Sequence, residues 1–105
     1  MESGKPAEAK KVFEFIISEY PKNPAALSNL GYIYLSIQGD TTRARELYDK
    51  AVALNPDYWQ AWYNKAGLYA YQKNFIEAKK ILKYVLRKNP SDEKAKQILN
   101  SINSL

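Results

Sequence analysis

Apolar residues recur along this chain every three or four positions, the period of one face of an α-helix. Ala9, Val12, Phe13, Ile16 and Tyr20 make such a stripe within residues 6–20. Ala44, Leu47, Tyr48, Ala51 and Leu54 make one within 42–54, and Ala78, Ile81, Leu82 and Val85 one within 75–88. Ala95, Ile98, Leu99 and Ile102 do the same within 92–103, while 24–37 and 58–72 are richer in apolar and aromatic residues at the same steps. No run alternates with period two, and no Asn-Gly or Asp-Gly pair marks a hairpin. The pattern predicts six helices joined by short turns, an all-α fold.

Local chemistry sets the expected helix ends. Asn23 before Pro24 is a cap followed by a first-turn proline. Asp57 with Gln60, and Asn74 with Glu77, have capping-box spacing. Ser91 is placed to cap the last helix, with Asp92 and Glu93 near the positive end of its dipole. Gly39 ends a helix before Asp40 and Thr41 open another.

The prolines add a longer period. Tyr20-Pro21, Asn55-Pro56 and Asn89-Pro90 stand 35 and then 34 residues apart, which points to a repeat array. Two features break the regularity. Gly31 lies inside a helical stretch, where glycine costs roughly 1 kcal/mol against alanine. Its counterpart is Ala66, so small size is the expected requirement, at a place where the helix after the turn comes close. In addition, Tyr34 to Ala44 is ten residues while Tyr69 to Ala78 is nine. The extra residue has to be absorbed around 36–42, and that turn is expected to be the less regular one.

Leu30-Gly31-x-x-Tyr34, Ala44-x-x-x-Tyr48 and Pro56, followed by Trp62, Tyr69, Ala78, Leu82 and Pro90, resemble the tetratricopeptide repeat. Ala9-x-x-x-Phe13 with Pro21 resembles the second half of an earlier unit. The resemblance implies a right-handed superhelical stack of antiparallel helix pairs, an α-solenoid. Its division would be 6–22 as the second helix of a partial repeat, 23–57 and 58–91 as repeats, and 92–105 as a capping helix. It also implies a protein–protein interaction scaffold that holds a peptide or protein segment in a concave groove lined by the first helix of each pair. The residues at groove positions include Ser28 and Tyr32 in the first repeat, Gln60, Tyr63, Asn64, Gly67 and Tyr71 in the second, and Lys94 in the last helix. All of these but Gly67 are taken as ligand contacts. Tyr63 and Asn64 are further expected to tolerate alanine with little loss of stability. The carboxylate clamp of one subfamily is matched at only two of its five positions, Asn64 and Lys94, so a chaperone-tail clamp is not expected.

Composition narrows the chemistry. The 105 residues contain no cysteine and no histidine, which removes disulfides, thiolate metal sites and the usual general base. No phosphate-loop motif, nucleophile–base pair or carboxylate cluster is present, so neither catalysis, a metal nor a cofactor is expected. No apolar run is long enough to span a bilayer. The net charge of +5 is uneven, with nine cations against three anions in residues 65–96. Lys79, Lys80, Lys83, Arg87 and Lys88 raise an alternative, binding of nucleic acid or acidic lipid, though the stretch carries no nucleic-acid motif and reads as a solvated helix face. A structural spacer within a longer chain is a third reading. Phe15 and Ile17 lie beside the stripe of the first helix, and they offer a surface for a removed helix or for a weak dimer.

Overall fold

The computed structural model describes residues 4–105, and it is all-α. Six helices follow in order: α1 Gly4–Glu19, α2 Pro24–Ile33, α3 Thr41–Leu54, α4 Trp59–Tyr71, α5 Phe75–Lys88 and α6 Glu93–Asn103. A π-helical turn, Tyr34–Gln38, extends α2. The contacts divide the chain into two compact units, one up to Ala61 and one from Trp62 onward.

In the first unit α1 packs on α2, and α2 on α3. Leu27, Leu30, Tyr34, Leu47, Ala51 and Ala61 form its core, with Phe13, Ile17, Val52 and Tyr58 against them. These are the 3.6-period positions, and burial of their apolar surface is what holds three short helices together. Ile17, expected on an open surface, is therefore a packing residue, whereas Phe15 is exposed as expected. Tyr34 also serves a polar role: its hydroxyl donates to Glu14 at 2.8 Å, tying α2 to α1, while Lys10 and Arg43 lie over its ring. In the second unit Ala66, Leu68, Ala78, Ile81, Leu82, Val85, Ala95 and Ile102 are buried, and α5 packs on α6.

Gly31 has the packing role expected of it. A Cβ placed there would lie 2.7 Å from Tyr48 Cε1 and 3.2 Å from the Ala44 carbonyl oxygen. Tyr48 is fully buried, so the ring has no room to retreat. At the equivalent places of the second unit stand Ala66 and Leu82, both fully buried. The small residue is smallest where its partner is largest, as close packing of helices requires.

The extra residue of the first repeat is accommodated in the helix end rather than in the turn. The Asp40 N–H bonds the Tyr34 carbonyl at 3.3 Å, and the Asn74 N–H bonds the Tyr69 carbonyl at 2.8 Å. The two bonds are equivalent, but the first encloses one more residue, and the wider π turn absorbs it. The turns themselves match: Gly39 (φ 61°) and Lys73 (φ 62°) are both left-handed. The expectation that the turn around 36–42 is the less regular one is corrected: the irregularity starts two residues earlier, at Tyr34, and is over by Gly39.

Lys73 bears a left-handed backbone that disfavours any residue with a Cβ. Lys73→Gly is expected to raise stability by about 1 kcal/mol in a thermal or denaturant melt. Gly39 at the same place in the first repeat shows that the turn accepts glycine.

Three of the caps are as expected: Asn23 accepts from the Ala26 N–H (3.0 Å), Asp40 from Arg43 (3.0 Å) and Asn74 from Glu77 (3.3 Å). The Glu77 carboxylate, however, pairs with Lys80 at 3.3 Å. Two expectations are corrected. Helix α4 begins at Trp59, too late for Asp57 to cap it, because the Asn55–Tyr58 segment closes first through a Tyr58 N–H bond to the Asn55 carbonyl. Asp92, not Ser91, caps α6, and the Ser91 hydroxyl lies 3.3 Å from Asn89 Oδ1.

Candidate functional site

The second unit gathers the polar and aromatic candidates on α4 and at the start of α6. Tyr63, Asn64, Gly67 and Tyr71 recur at steps of one, three and four, so they share a side of α4. Ala66 and Leu68, on the two flanks of this side, are buried. Asn64 and Tyr63 are half-buried, and Gly67 and Tyr71 are exposed.

Asp92 joins α6 to this side of α4. Its Oδ1 accepts the Ala95 N–H at 2.9 Å as the helix cap, and its Oδ2 accepts the Tyr63 hydroxyl. The carboxylate is almost fully buried. Burial alone would raise its pKa, but the Tyr63 hydroxyl, the Ala95 and Lys94 N–H groups and the Lys94 charge outweigh burial and hold it below the ordinary carboxylate value. The same arrangement pushes the Tyr63 phenol up, first by burial and then by its bond to the Asp92 carboxylate and that group's charge. Lys94 Nζ lies 5.0 Å from the centroid of the Tyr63 ring, a cation–π contact, and the lysine is exposed. The result is a phenol fixed at its tip, a cation over its face, and a second, open phenol two turns along the helix.

This arrangement changes the reading of several candidates. Tyr63 does not offer its hydroxyl to a ligand, because Asp92 holds it; only the ring is presented. Alanine at Tyr63 would leave a buried carboxylate short of a donor, so the expectation that Tyr63 tolerates alanine is corrected. Ser28 is fully buried and is not a surface contact: at the middle of α2 it sits among Ala26, Leu27, Leu30 and Gly31, all of them buried. Tyr32 is exposed on α2, and Gln60 is exposed in the first turn of α4; both belong to the first unit. Asn64 is half-buried on α4, Tyr71 is exposed at its end, and Lys94 is exposed in the first turn of α6. Asp92 was missed as a partner. Its signal was the repeat register, since Asp92 occupies the place of Asn23, the cap of α2.

Other prominent features lie elsewhere. Two clefts, of about 530 and 390 Å³, are lined in the first unit by residues of 19–24, Leu27, Lys50, Ala53 and Leu54, and contain none of the candidates. Trp62 is half-buried, with its ring 4.8 Å from that of Tyr84 and Lys65 at 5.3 Å over it. On α5, Lys80, Lys83, Arg87 and Lys88 are exposed, while Ile81, Leu82 and Val85 are buried, so the cations line the outer side of an amphipathic helix. Among the described residues no group of three or more acidic residues is placed to hold a metal ion, and no helix is long and apolar enough to cross a membrane.

Two sequence models of the tetratricopeptide repeat match the chain, one over residues 35–102 and one over 1–49. Protein O-mannosyl-transferase TMTC1 of Mus musculus is 30% identical over 101 residues, which is 93% of this chain and 11% of that protein. The chain therefore spans only a small part of the curated relative it matches. Among solved structures, the first TPR of Spaghetti (RPAP3), bound to the HSP90 peptide SRMEEVD, superposes with a TM-score of 0.83 at 26% identity, covering 98% of this chain and 83% of that one. The second TPR domain of human RPAP3, determined by NMR in complex with the HSP70 peptide SGPTIEEVD, gives 0.80 at 24% identity, covering 97% and 84%, and bears on the fold alone.

Proposed function

Since the chain belongs to the tetratricopeptide repeat family, we propose that it is a protein–protein interaction module that binds an acidic peptide segment on the α4–α6 side built from Asn64, Gly67, Tyr71 and Lys94, beside the ring of Tyr63. The observation that carries this reading is the combination of an exposed phenol, Tyr71, with an exposed cation, Lys94, held over a ring that is itself locked by Asp92. Tyrosine supplies stiff contact area with a polar tip, and a pre-organised receptor loses little entropy on binding. The exposed cation of Lys94 on this side favours an acidic ligand. The solved relative bound to SRMEEVD supports a peptide as the ligand class. With only Asn64 and Lys94 at clamp positions, acidic side chains rather than a free C-terminal carboxylate are the recognised feature.

The test is calorimetric titration with the heptapeptide SRMEEVD, free and C-terminally amidated. The domain is expected to bind both forms with similar affinity, and Tyr71→Ala and Lys94→Ala each to weaken binding about tenfold, the ~1.4 kcal/mol of one good contact. Absence of binding, or affinity unchanged in both variants, overturns the reading.

A further inference from the structure

The chain keeps two glycines inside helices, and only one is explained by packing. Gly31 is crowded by Tyr48 and Ala44. Gly67, in the middle of α4, is exposed, and a Cβ built on it meets nothing within 4 Å. Its backbone is not left-handed either, since Gly39 is the glycine with positive φ among the described residues. Glycine there costs helix stability and exposes backbone to water, and alanine would fit without a clash. The fold gives no reason for it.

The surroundings point to a ligand. Tyr63 lies one turn before Gly67 and Tyr71 one turn after it, on the same side of α4. Two phenol rings flank a position with no side chain, which makes a notch with helix backbone as its floor. The Tyr63 wall of the notch is rigid, held at its tip by Asp92 and covered by Lys94. The Tyr71 wall is 63% exposed. Open space down to the main chain at Gly67 admits what a methyl group would keep out: the backbone of an extended peptide lying against the helix.

We infer that Gly67 is the close-approach residue of the binding face, where the main chain of an acidic peptide crosses α4 between the rings of Tyr63 and Tyr71 and directs a carboxylate to Lys94. This rests on the peptide-binding reading above and adds to it the place and orientation of the ligand backbone. It also accounts for the cost of Gly67, which is stability given up for access at a binding surface.

The deciding variant is Gly67→Ala, assayed with the same acidic heptapeptide. The expected result has opposite signs in two measurements. The thermal midpoint rises by several degrees, because an exposed helical glycine has been replaced by the best helix former. Peptide affinity falls about tenfold, because the methyl group fills the notch. Isotope-filtered NOEs from the peptide to the Gly67 Hα protons of the unaltered domain give an independent readout of contact. If Tyr71→Ala and Lys94→Ala weaken binding while Gly67→Ala binds as well as the parent and no such NOEs appear, this inference fails and the peptide reading stands. If the parent does not bind, both fail. Loss of affinity together with a lower midpoint also counts against it, since Gly67 would then have a structural role.

Discussion

Replacing Asp92 with alanine is expected to lower the stability of the domain by about 2–3 kcal/mol, or roughly 10–20 °C in thermal midpoint. Two losses add. The first turn of α6 loses its cap, the 2.9 Å bond from the Ala95 N–H, at a typical cost of about 1 kcal/mol. The hydroxyl of half-buried Tyr63 loses a charged acceptor, worth about 1–2 kcal/mol in this partly exposed setting. Asp92→Asn separates the parts, because asparagine still caps a helix and still accepts one bond, but carries no charge. The effect depends on pH with a definite sign. The fold holds the carboxyl below its ordinary value, so the charge contributes fully above about pH 4 and its contribution is lost as pH falls through the lower folded value. The parent should therefore lose stability more steeply than Asp92→Asn as pH falls below about 4. Parallel curves in acid would show that the charge of Asp92 does not stabilise the fold.

Gly31→Ala is expected to destabilise by about 2 kcal/mol, against the gain that alanine normally brings to a helix. The added methyl would lie 2.7 Å from a ring carbon of fully buried Tyr48 and 3.2 Å from the Ala44 carbonyl oxygen, one turn earlier on α3. The second unit shows the remedy, pairing Ala66 with Leu82. Adding Tyr48→Leu to Gly31→Ala should therefore recover most of the loss. The Tyr48 hydroxyl is buried without a partner among the described residues, so removing it forfeits no hydrogen bond within the protein. A double-mutant cycle by chemical denaturation measures the coupling, which should favour the pair by at least ~1 kcal/mol. Strict additivity would mean that the two side chains do not compete for the same space.

The helices and their packing sides were legible because burial leaves a periodic trace: Ala44, Leu47, Tyr48 and Ala51 read as one stripe and are buried as one. Gly31 was legible by comparison with Ala66, a single residue in a matching register. The extra residue between Tyr34 and Ala44 could be counted from the sequence, but its location could not. Whether a helix widens by one residue or a turn lengthens depends on which hydrogen bonds close, and the π turn bonds Gly39 back to Tyr34. Polar side chains were least legible. Ser91 and Asp92 are adjacent and both suited to capping, and only the backbone decides between them. Ser28 was placed in the groove by its register alone, yet the fold encloses it. Tyr63 has the right position for a contact, but its hydroxyl is claimed by a residue 29 positions away, which no local pattern reveals. The cost of Gly67 became visible only once the space around it was known to be open.

The most direct test of the binding face is a chemical-shift map of the isotopically labelled domain titrated with the acidic heptapeptide. Shifts should concentrate at Tyr63, Asn64, Gly67, Tyr71 and Lys94, with the buried pair Gly31 and Tyr48 unmoved. Shifts confined to the Lys79–Lys88 side of α5, or none at saturating peptide, would contradict a peptide-binding face on α4 and α6.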